Sequence, residues 1–132
     1  MKKISLFCSA LSLSLTASFA LATPPKQLIT HNETSVESNA FVAGTIPSQH
    51  PTKPYADNHV MWASVRMACF GHLTNGRCPA LIRMKTNTEN PVDLGTVTID
   101  LNTGDIQPKS IHANGYTMIV NGPAETTLLE GE

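Results

Sequence analysis

The sequence predicts an all-β fold with one local disulfide. The expected architecture is a small antiparallel β-sandwich, for which an immunoglobulin-like topology is one candidate, or an open barrel. Short apolar runs recur at intervals of about ten residues, and signals rich in Gly, Asn and Pro separate them. Beyond the N-terminal segment, no stretch shows the apolar spacing of a helix. We therefore expect six to eight short strands and no helix in the rest of the chain.

The N-terminal segment is typical of a secretory signal peptide. It begins with Lys2 and Lys3, continues through an uncharged run rich in Leu, Ser and Ala, and closes with small residues at Ala20 and Ala22. A retained membrane anchor is disfavoured because Pro24 and Pro25 follow directly and no basic flank does. We expect residues 1–22 to be removed and the protein to be exported from a Gram-negative bacterium, to the periplasm or beyond the cell.

The charge of the mature chain disfavours a nucleic-acid partner. Loss of the two N-terminal lysines leaves seven basic and ten acidic residues, a formal charge of −3, and no Lys/Arg cluster. Nucleic-acid binding needs a basic face. Nothing in the remaining 110 residues is apolar for long enough to span a membrane. We expect a Pro/Ser/Thr/Asn-rich segment over 23–54 with one or two short strands, and a β-rich core over 55–132 that includes part of it.

Two cysteines remain in the mature chain, Cys69 and Cys78, nine positions apart. In an exported protein such a pair is expected to form a disulfide, and closing a loop this short contributes about 2–3 kcal/mol. The alternative is a free thiol nucleophile with His72 as its base. A redox dithiol is disfavoured by the spacing, since redox pairs are typically C-x-x-C.

The stretch from Asn58 to Thr86 is predicted to be a hairpin closed by this disulfide. Its arms are the alternating runs His59–Phe70 and Ala80–Lys85, and Asn75-Gly76 is a strong turn signal between them. With that turn, Cys78 would face Leu73, so the disulfide closes the loop 70–77 and does not bridge two regular strands. The core face of the second arm is predicted to comprise Ala80, Ile82 and Met84.

The segment before the hairpin contains two apolar islands and a proline-rich connection. Gln27–Thr30 is predicted to be an edge strand, and the run Ala40–Ile46 a strand with a bend near Gly44. Pro47–Pro54 holds three prolines in eight residues, which predicts an extended connection and excludes a central strand.

The segment after the hairpin is predicted to form four strands. Leu94–Leu101 alternates cleanly, with Val97, Ile99 and Leu101 pointing inward. Pro108 limits the following run to an edge position or a late start. Asn114-Gly115 is the strongest hairpin signal in the chain. The remaining predicted strands are Ile106–Ala113, Tyr116–Asn121 and Ala124–Leu129.

One pattern in the first hairpin arm would suit a metal. His59, Met61 and Met67 would lie on one face of a strand, where an imidazole and thioethers are soft ligands for copper. The simpler interpretation is that both methionines pack in the core and His59 faces solvent. A structural zinc site is disfavoured because the cysteines are used in the disulfide.

The sequence contains no motif of a known catalytic centre, neither G-x-S-x-G nor H-E-x-x-H nor a glycine-rich phosphate loop. This disfavours an enzyme and favours an exported binding module, acting in the envelope or as a secreted effector on a protein or envelope component. The predicted contact surface is the loop closed by the disulfide, with His72, Asn75 and Arg77. The alternative function is a periplasmic copper-binding protein that uses the His-x-Met strand; otherwise no cofactor is expected.

Overall fold

The computed structural model describes residues 23–131 as a β-sandwich of two five-stranded sheets. The sandwich prediction is confirmed, while the predicted signal peptide, 1–22, lies outside the described residues. In chain order the elements are β1 Gln27–Asn32, β2 Ser38–Val42, β3 Ile46–Pro47, β4 Ala56–Met61, α1 Trp62–Cys69, β5 Arg77–Met84, β6 Val92–Asp100, β7 Ile106–Gln107, β8 Ser110–Ala113, β9 Tyr116–Gly122 and β10 Glu125–Glu130. Sheet A has the order β4-β1-β10-β9-β8, and sheet B the order β3-β2-β5-β6-β7.

The two sheets share one apolar core that their inward-facing side chains build. Met118 and Leu128 enter it from sheet A, and Met84 and Ile106 enter it from sheet B. The predicted inward faces of β5 and β6 are confirmed: Ala80, Met84, Val97 and Ile99 are buried, and Ile82 and Leu101 pack against the core at partial exposure.

A helix replaces most of the predicted first hairpin arm. The predictions of a strand over His59–Phe70 and of no helix after the N-terminal segment were wrong, because β4 ends at Met61 and α1 begins at Trp62. The buried side chains of α1 are Trp62, Val65 and Cys69, which have the spacing of one helix face. An even distribution of apolar residues hid this spacing, since Ala63 and Met67 are also apolar but lie in solvent.

Strand β1 lies inside sheet A, where an edge strand was predicted over Gln27–Thr30. It pairs antiparallel with β4 and parallel with β10, the last strand of the chain. The residue at its end, Asn32, is buried. Local sequence patterns do not show the pairing of β1 with β10, because the two strands lie almost a hundred positions apart in the chain.

Pro108 divides the predicted strand Ile106–Ala113 in two. The first part, β7, is the outer strand of sheet B, and the second, β8, is the outer strand of sheet A, so the predicted edge position is confirmed. The chain crosses between the sheets here, and β6 contacts β8 and β9 across the sandwich. The sheets are therefore closed on this side, and their other outer strands, β4 and β3, lie at the opposite side.

Both predicted Asn-Gly turns are present. Asn75 and Gly76 have φ of 53° and 78°, and Asn114 and Gly115 have φ of 55° and 86°. Positive φ at both central residues is what a two-residue hairpin turn of the primed type requires. Among the described residues, no helix is long and apolar enough to cross a membrane.

Candidate ligand-binding cleft

A cleft of about 440 Å³ opens between the sheets on the side of β4 and β3. Sheet A lines it with residues of β1, β4, β9 and β10, and sheet B lines it with residues of β2, β3, β5, β6 and β7. Because the segment 48–55 precedes β4 and α1 follows it, these two elements enclose opposite ends of the cleft. The volume is within the range of small-molecule sites in proteins, about 300–1,000 Å³.

Strand alternation builds the apolar walls. In β4, Asn58 and Val60 face the cleft, while His59 and Met61 face the outside of the sheet. Leu28 of β1 lies beside Val60, its register partner, and faces the cleft with it. Ala40 and Ile82, another register pair, form the wall on sheet B.

A buried asparagine fixes the end formed by the segment 48–55. Asn32 is 1% exposed, and its amide nitrogen donates hydrogen bonds to the carbonyls of Val36 at 2.8 Å and Lys53 at 3.0 Å. Its side-chain oxygen accepts hydrogen bonds from the backbone N–H and the hydroxyl of Thr34. The predicted proline-rich connection is thus attached to the buried end of β1 and forms one end of the cleft.

Two further contacts hold the same segment to both sheets. Thr52 pairs with Ser38 of β2 through two backbone hydrogen bonds of 2.8 and 3.0 Å. The side-chain nitrogen of Asn58 donates to the carbonyl of His50 at 2.9 Å. This end of the cleft is therefore part of the folded structure before any ligand binds.

The predicted disulfide fixes the opposite end. Cys69, the last residue of α1, is bonded to Cys78 of β5, and both side chains are buried. The bond closes the loop 70–77, as predicted from the Asn75-Gly76 turn. It joins a helix to a strand, whereas a hairpin of two strands was expected. Neither sulfur is a free thiol, which contradicts the alternative of a cysteine nucleophile.

The rim of the cleft next to α1 is apolar and exposed. Met67 is 78% exposed and borders both the cleft and a shallow depression that Arg66 and Phe70 line. Phe70 is 85% exposed, and Ile46 of β3 lies on the other rim. Exposed apolar side chains of this kind often border ligand-binding grooves.

The cleft offers apolar contact and polar hydrogen-bonding groups. Among its lining residues, all within 23–131, none is Asp, Glu, Lys or Arg, and none is Phe, Tyr or Trp. The polar lining residues that are not fully buried are Thr30, Asn39, Ser48, Gln49, His50, Asn58 and Ser64.

The predicted copper ligands do not lie on one strand. His59 and Met61 share the exposed face of β4, which points away from the cleft. Met67 instead belongs to α1 and borders the cleft. The premise of one shared strand face was wrong, and copper binding by these three residues stays a prediction. Within the described part of the chain, no group of three or more His, Cys, Asp or Glu is placed to hold a metal ion.

The predicted contact loop divides into two kinds of residue. Asn75 is exposed at the turn and His72 is half-buried. The guanidinium of Arg77 points back onto the sheet, where Nε donates to the Thr98 hydroxyl at 2.8 Å and Nη2 lies 3.2 Å from the Asp105 carboxylate. Arg77 thus stabilises the sandwich, and a contact role for His72, Asn75 and Arg77 stays a prediction.

Two charged clusters were not predicted. On the outer face of sheet A, hydrogen bonds to Asp57 and Glu125 raise the pKa of His31 above its usual value. Near β7, hydrogen bonds from Lys109, Gln107 and Arg77 lower the pKa of Asp105 to about 2. The residues of the first cluster come from three strands, so sequence spacing alone could not reveal it.

Comparison with known proteins indicates an exported protein. A search of curated proteins gives no match. The crystal structure of the Legionella pneumophila type II secretion system substrate NttC is similar, with 57% identity and a TM-score of 0.79, covering 81% of this chain and 99% of that one. The family described as "T2SS substrate NttC" matches residues 1–131. The chain therefore belongs to the NttC family of type II secretion system substrates.

Proposed function

We propose that this protein is secreted from the cell by a type II secretion system and acts there by binding an apolar group in the cleft. The observation that carries the proposal is the cleft itself, enclosed on two sides by the sheets and at its ends by α1 and the segment 48–55. The export route is supported by the family, whose description is that of a type II secretion substrate.

The apolar walls of the cleft supply a driving force for binding. Leu28 and Val60 on one sheet, and Ala40 and Ile82 on the other, are only partly buried although they belong to the inner faces of the sandwich. A ligand that covers these side chains removes their remaining apolar surface from water, which favours the complex by about 25 cal/mol for each Å².

The cleft is also preorganised for binding. The disulfide, the hydrogen bonds of Asn32 and the Ser38–Thr52 pair hold its ends in place. Walls that are already fixed lose little conformational entropy when a ligand binds, so more of the interaction free energy appears as affinity.

Binding in the cleft can be tested on the ¹⁵N-labelled mature protein by NMR. The panel contains straight-chain alcohols, fatty acids, alkylamines and small aromatic compounds. We expect at least one class to shift the backbone amides of Leu28, Ala40, Val60 and Ile82. If no class moves these amides, the proposed binding function is refuted.

Two alanines of α1 provide a matched pair of variants. Ala68 lines the cleft and Ala63 does not, and both are exposed, so neither change disturbs the core. We expect Ala68→Trp to block the opening and abolish the shifts, and Ala63→Trp to leave them unchanged. Equal behaviour of the two variants would show that the ligand binds elsewhere.

The secretion route has its own test. Fractionation of the producing bacterium should recover the protein in the culture supernatant. In a strain whose type II secretion system is inactivated, the protein should accumulate in the periplasm. Equal amounts in the supernatants of the two strains would contradict secretion by this route.

A further inference from the structure

We propose that the ligand of the cleft is a flexible aliphatic chain with an uncharged hydroxyl or amide head, the chemistry of long-chain alcohols and monoacylglycerols. The inference rests on the proposed function, because it assigns a chemical class to the ligand of that site.

The walls select for an aliphatic chain. Their side chains are those of Leu28, Val60, Ala40 and Ile82, with Met67 at the opening, and no Phe, Tyr or Trp ring is present among the lining residues of the described chain. Sites for sugars, nucleobases and other planar groups usually offer an aromatic side chain for stacking. A flexible chain instead fits a space between two sheets whose walls are formed by aliphatic side chains.

The opening selects for an uncharged head. Its polar groups are the hydroxyls of Ser48 and Ser64, the amides of Asn39, Gln49 and Asn58, and the imidazole of His50. An ammonium placed there would lose part of its hydration without gaining an opposite charge, since the lining contains no Asp or Glu. A carboxylate placed there would meet no Lys or Arg, and the one imidazole of the lining, His50, is exposed to water. A hydroxyl or amide head can exchange its hydrogen bonds with water for hydrogen bonds with these groups.

The volume of the cleft predicts how the affinity depends on the chain length of the ligand. Each methylene that enters an apolar site should tighten binding roughly fourfold, until the cleft of about 440 Å³ is filled. Beyond that length, further methylenes remain in water and the affinity stops rising. This plateau reports the size of the cleft directly.

The experiment is a calorimetric titration of the disulfide-bonded mature protein with hexanol, octanol, decanol and dodecanol below their solubility limits. The fatty acid and alkylamine of each chain length, and naphthalene, are titrated alongside. We expect the Kd of the alcohols to fall with chain length to a plateau. At equal length, the acids and amines should bind at least roughly tenfold more weakly, because a charged head is desolvated without a partner.

A variant inside the cleft tests the plateau. Ala40→Phe extends the wall of β2 into the cleft and reduces its volume, so the plateau should move to a shorter chain. Dodecanol should bind roughly tenfold or more weakly, and hexanol should lose less affinity than dodecanol. A variant that merely unfolds the protein would weaken all chain lengths together. Ala68→Trp gives a second, surface variant that should weaken the whole series, while Ala63→Trp should not.

The outcomes separate this inference from the proposed function. If acids, amines or naphthalene bind in the cleft as well as the alcohols do, or the affinity does not rise with chain length, the ligand class is wrong while the binding function stands. If no compound binds the wild-type protein more tightly than it binds Ala68→Trp, both are refuted.

Discussion

The imidazole Nδ1 of His31 lies 2.8 Å from the Asp57 carboxylate, and its Nε2 lies 2.7 Å from the Glu125 carboxylate. His31 belongs to β1, Asp57 to β4 and Glu125 to β10, so one side chain ties three neighbouring strands of sheet A together. In the β1–β4 pair, His31 and Asp57 are register partners. The contact therefore helps to hold β4, the outer strand that borders the cleft, against its sheet.

This arrangement predicts a pH-dependent contribution to stability. The hydrogen bond to Asp57, and then that to Glu125, raises the pKa of His31. A raised pKa means that the contribution is fully present below the unfolded pKa of about 6.5 and is lost as the pH rises through the folded value. We expect His31→Gln to destabilise the protein more at pH 5.5 than at pH 8.5.

The measurement is urea unfolding of the wild type and the variant at both pH values. His112→Gln is the control, because the His112 ring contacts the hydroxyl of Thr117 and no carboxylate. A loss of unfolding free energy for His31→Gln that is the same at both pH values would contradict the proposed origin.

A second prediction concerns Asp105. The hydrogen bond from Lys109 is the largest cause of its low pKa, followed by that from Gln107. We expect NMR titration of the Asp105 carboxyl carbon to give a midpoint of about 2 in the wild type. Lys109→Met should raise that midpoint toward the usual range. The stabilisation from this cluster is present above the unfolded pKa of Asp and is lost as the pH falls through about 2.

The control for that titration is Lys53→Met, which removes a lysine from the segment 48–55. It should leave the Asp105 midpoint in place, because Lys53 is not among the causes of the shift. If Lys109→Met also leaves the midpoint near its wild-type value, the Lys109 contact is not what holds the pKa down.

A third prediction links the disulfide to both stability and binding. Replacing both Cys69 and Cys78 with Ala should lower the free energy of unfolding by about 2–3 kcal/mol, because the unfolded chain is no longer constrained. The end of α1 would also be released from β5, so binding in the cleft should weaken even where the protein remains folded. Urea unfolding and the alcohol titration measure the two effects.

The control for the double variant is the wild-type protein after reduction of the disulfide, which should lose a similar amount of stability. A double variant as stable as the oxidised wild type would show that the bond contributes nothing to the fold.

The fourth prediction compares two glycines with the same backbone conformation. Gly104 has φ of 81° and Gly44 has φ of 82°, values that cost an L-residue about 1–2 kcal/mol. A Cβ at Gly104 would lie 2.5 Å from Cγ of Pro25 and 3.2 Å from Cβ of Ala124, whereas a Cβ at Gly44 meets nothing within 4 Å. Gly104→Ala should therefore destabilise the protein by about 1–3 kcal/mol more than Gly44→Ala.

Urea denaturation of both glycine variants gives this difference directly, and the backbone cost cancels between them. Equal losses would mean that the chain near Pro25 moves aside without cost, so that Gly104 is needed only for its backbone conformation.

The predicted copper ligands show what the sequence could not resolve about the site. His59, Met61 and Met67 have the same spacing parity, and a continuous strand would have placed them on one face. The helix that begins at Trp62 separates Met67 from the other two. Six of the eight residues between Trp62 and Cys69 are apolar, so they satisfy both helix and strand spacings. Only the contact of one helix face with the rest of the fold distinguishes the two. Trp62 shows this contact, because its indole N–H donates to the carbonyl of Leu101 at 2.9 Å.

The sequence by itself determined the features that depend on local chemistry: the sandwich class, the Cys69–Cys78 bond, the two Asn-Gly turns, the inward faces of β5 and β6, and the edge position that Pro108 imposes. These follow from side-chain alternation, turn geometry and cysteine chemistry, which act over a few residues. The tertiary structure alone decided that α1 is a helix, that β1 lies between β4 and β10, and that a cleft remains between the outer strands of the two sheets. Each of these depends on contacts between segments far apart in the chain, and the free energy of such packing can override the local preference of the residues involved.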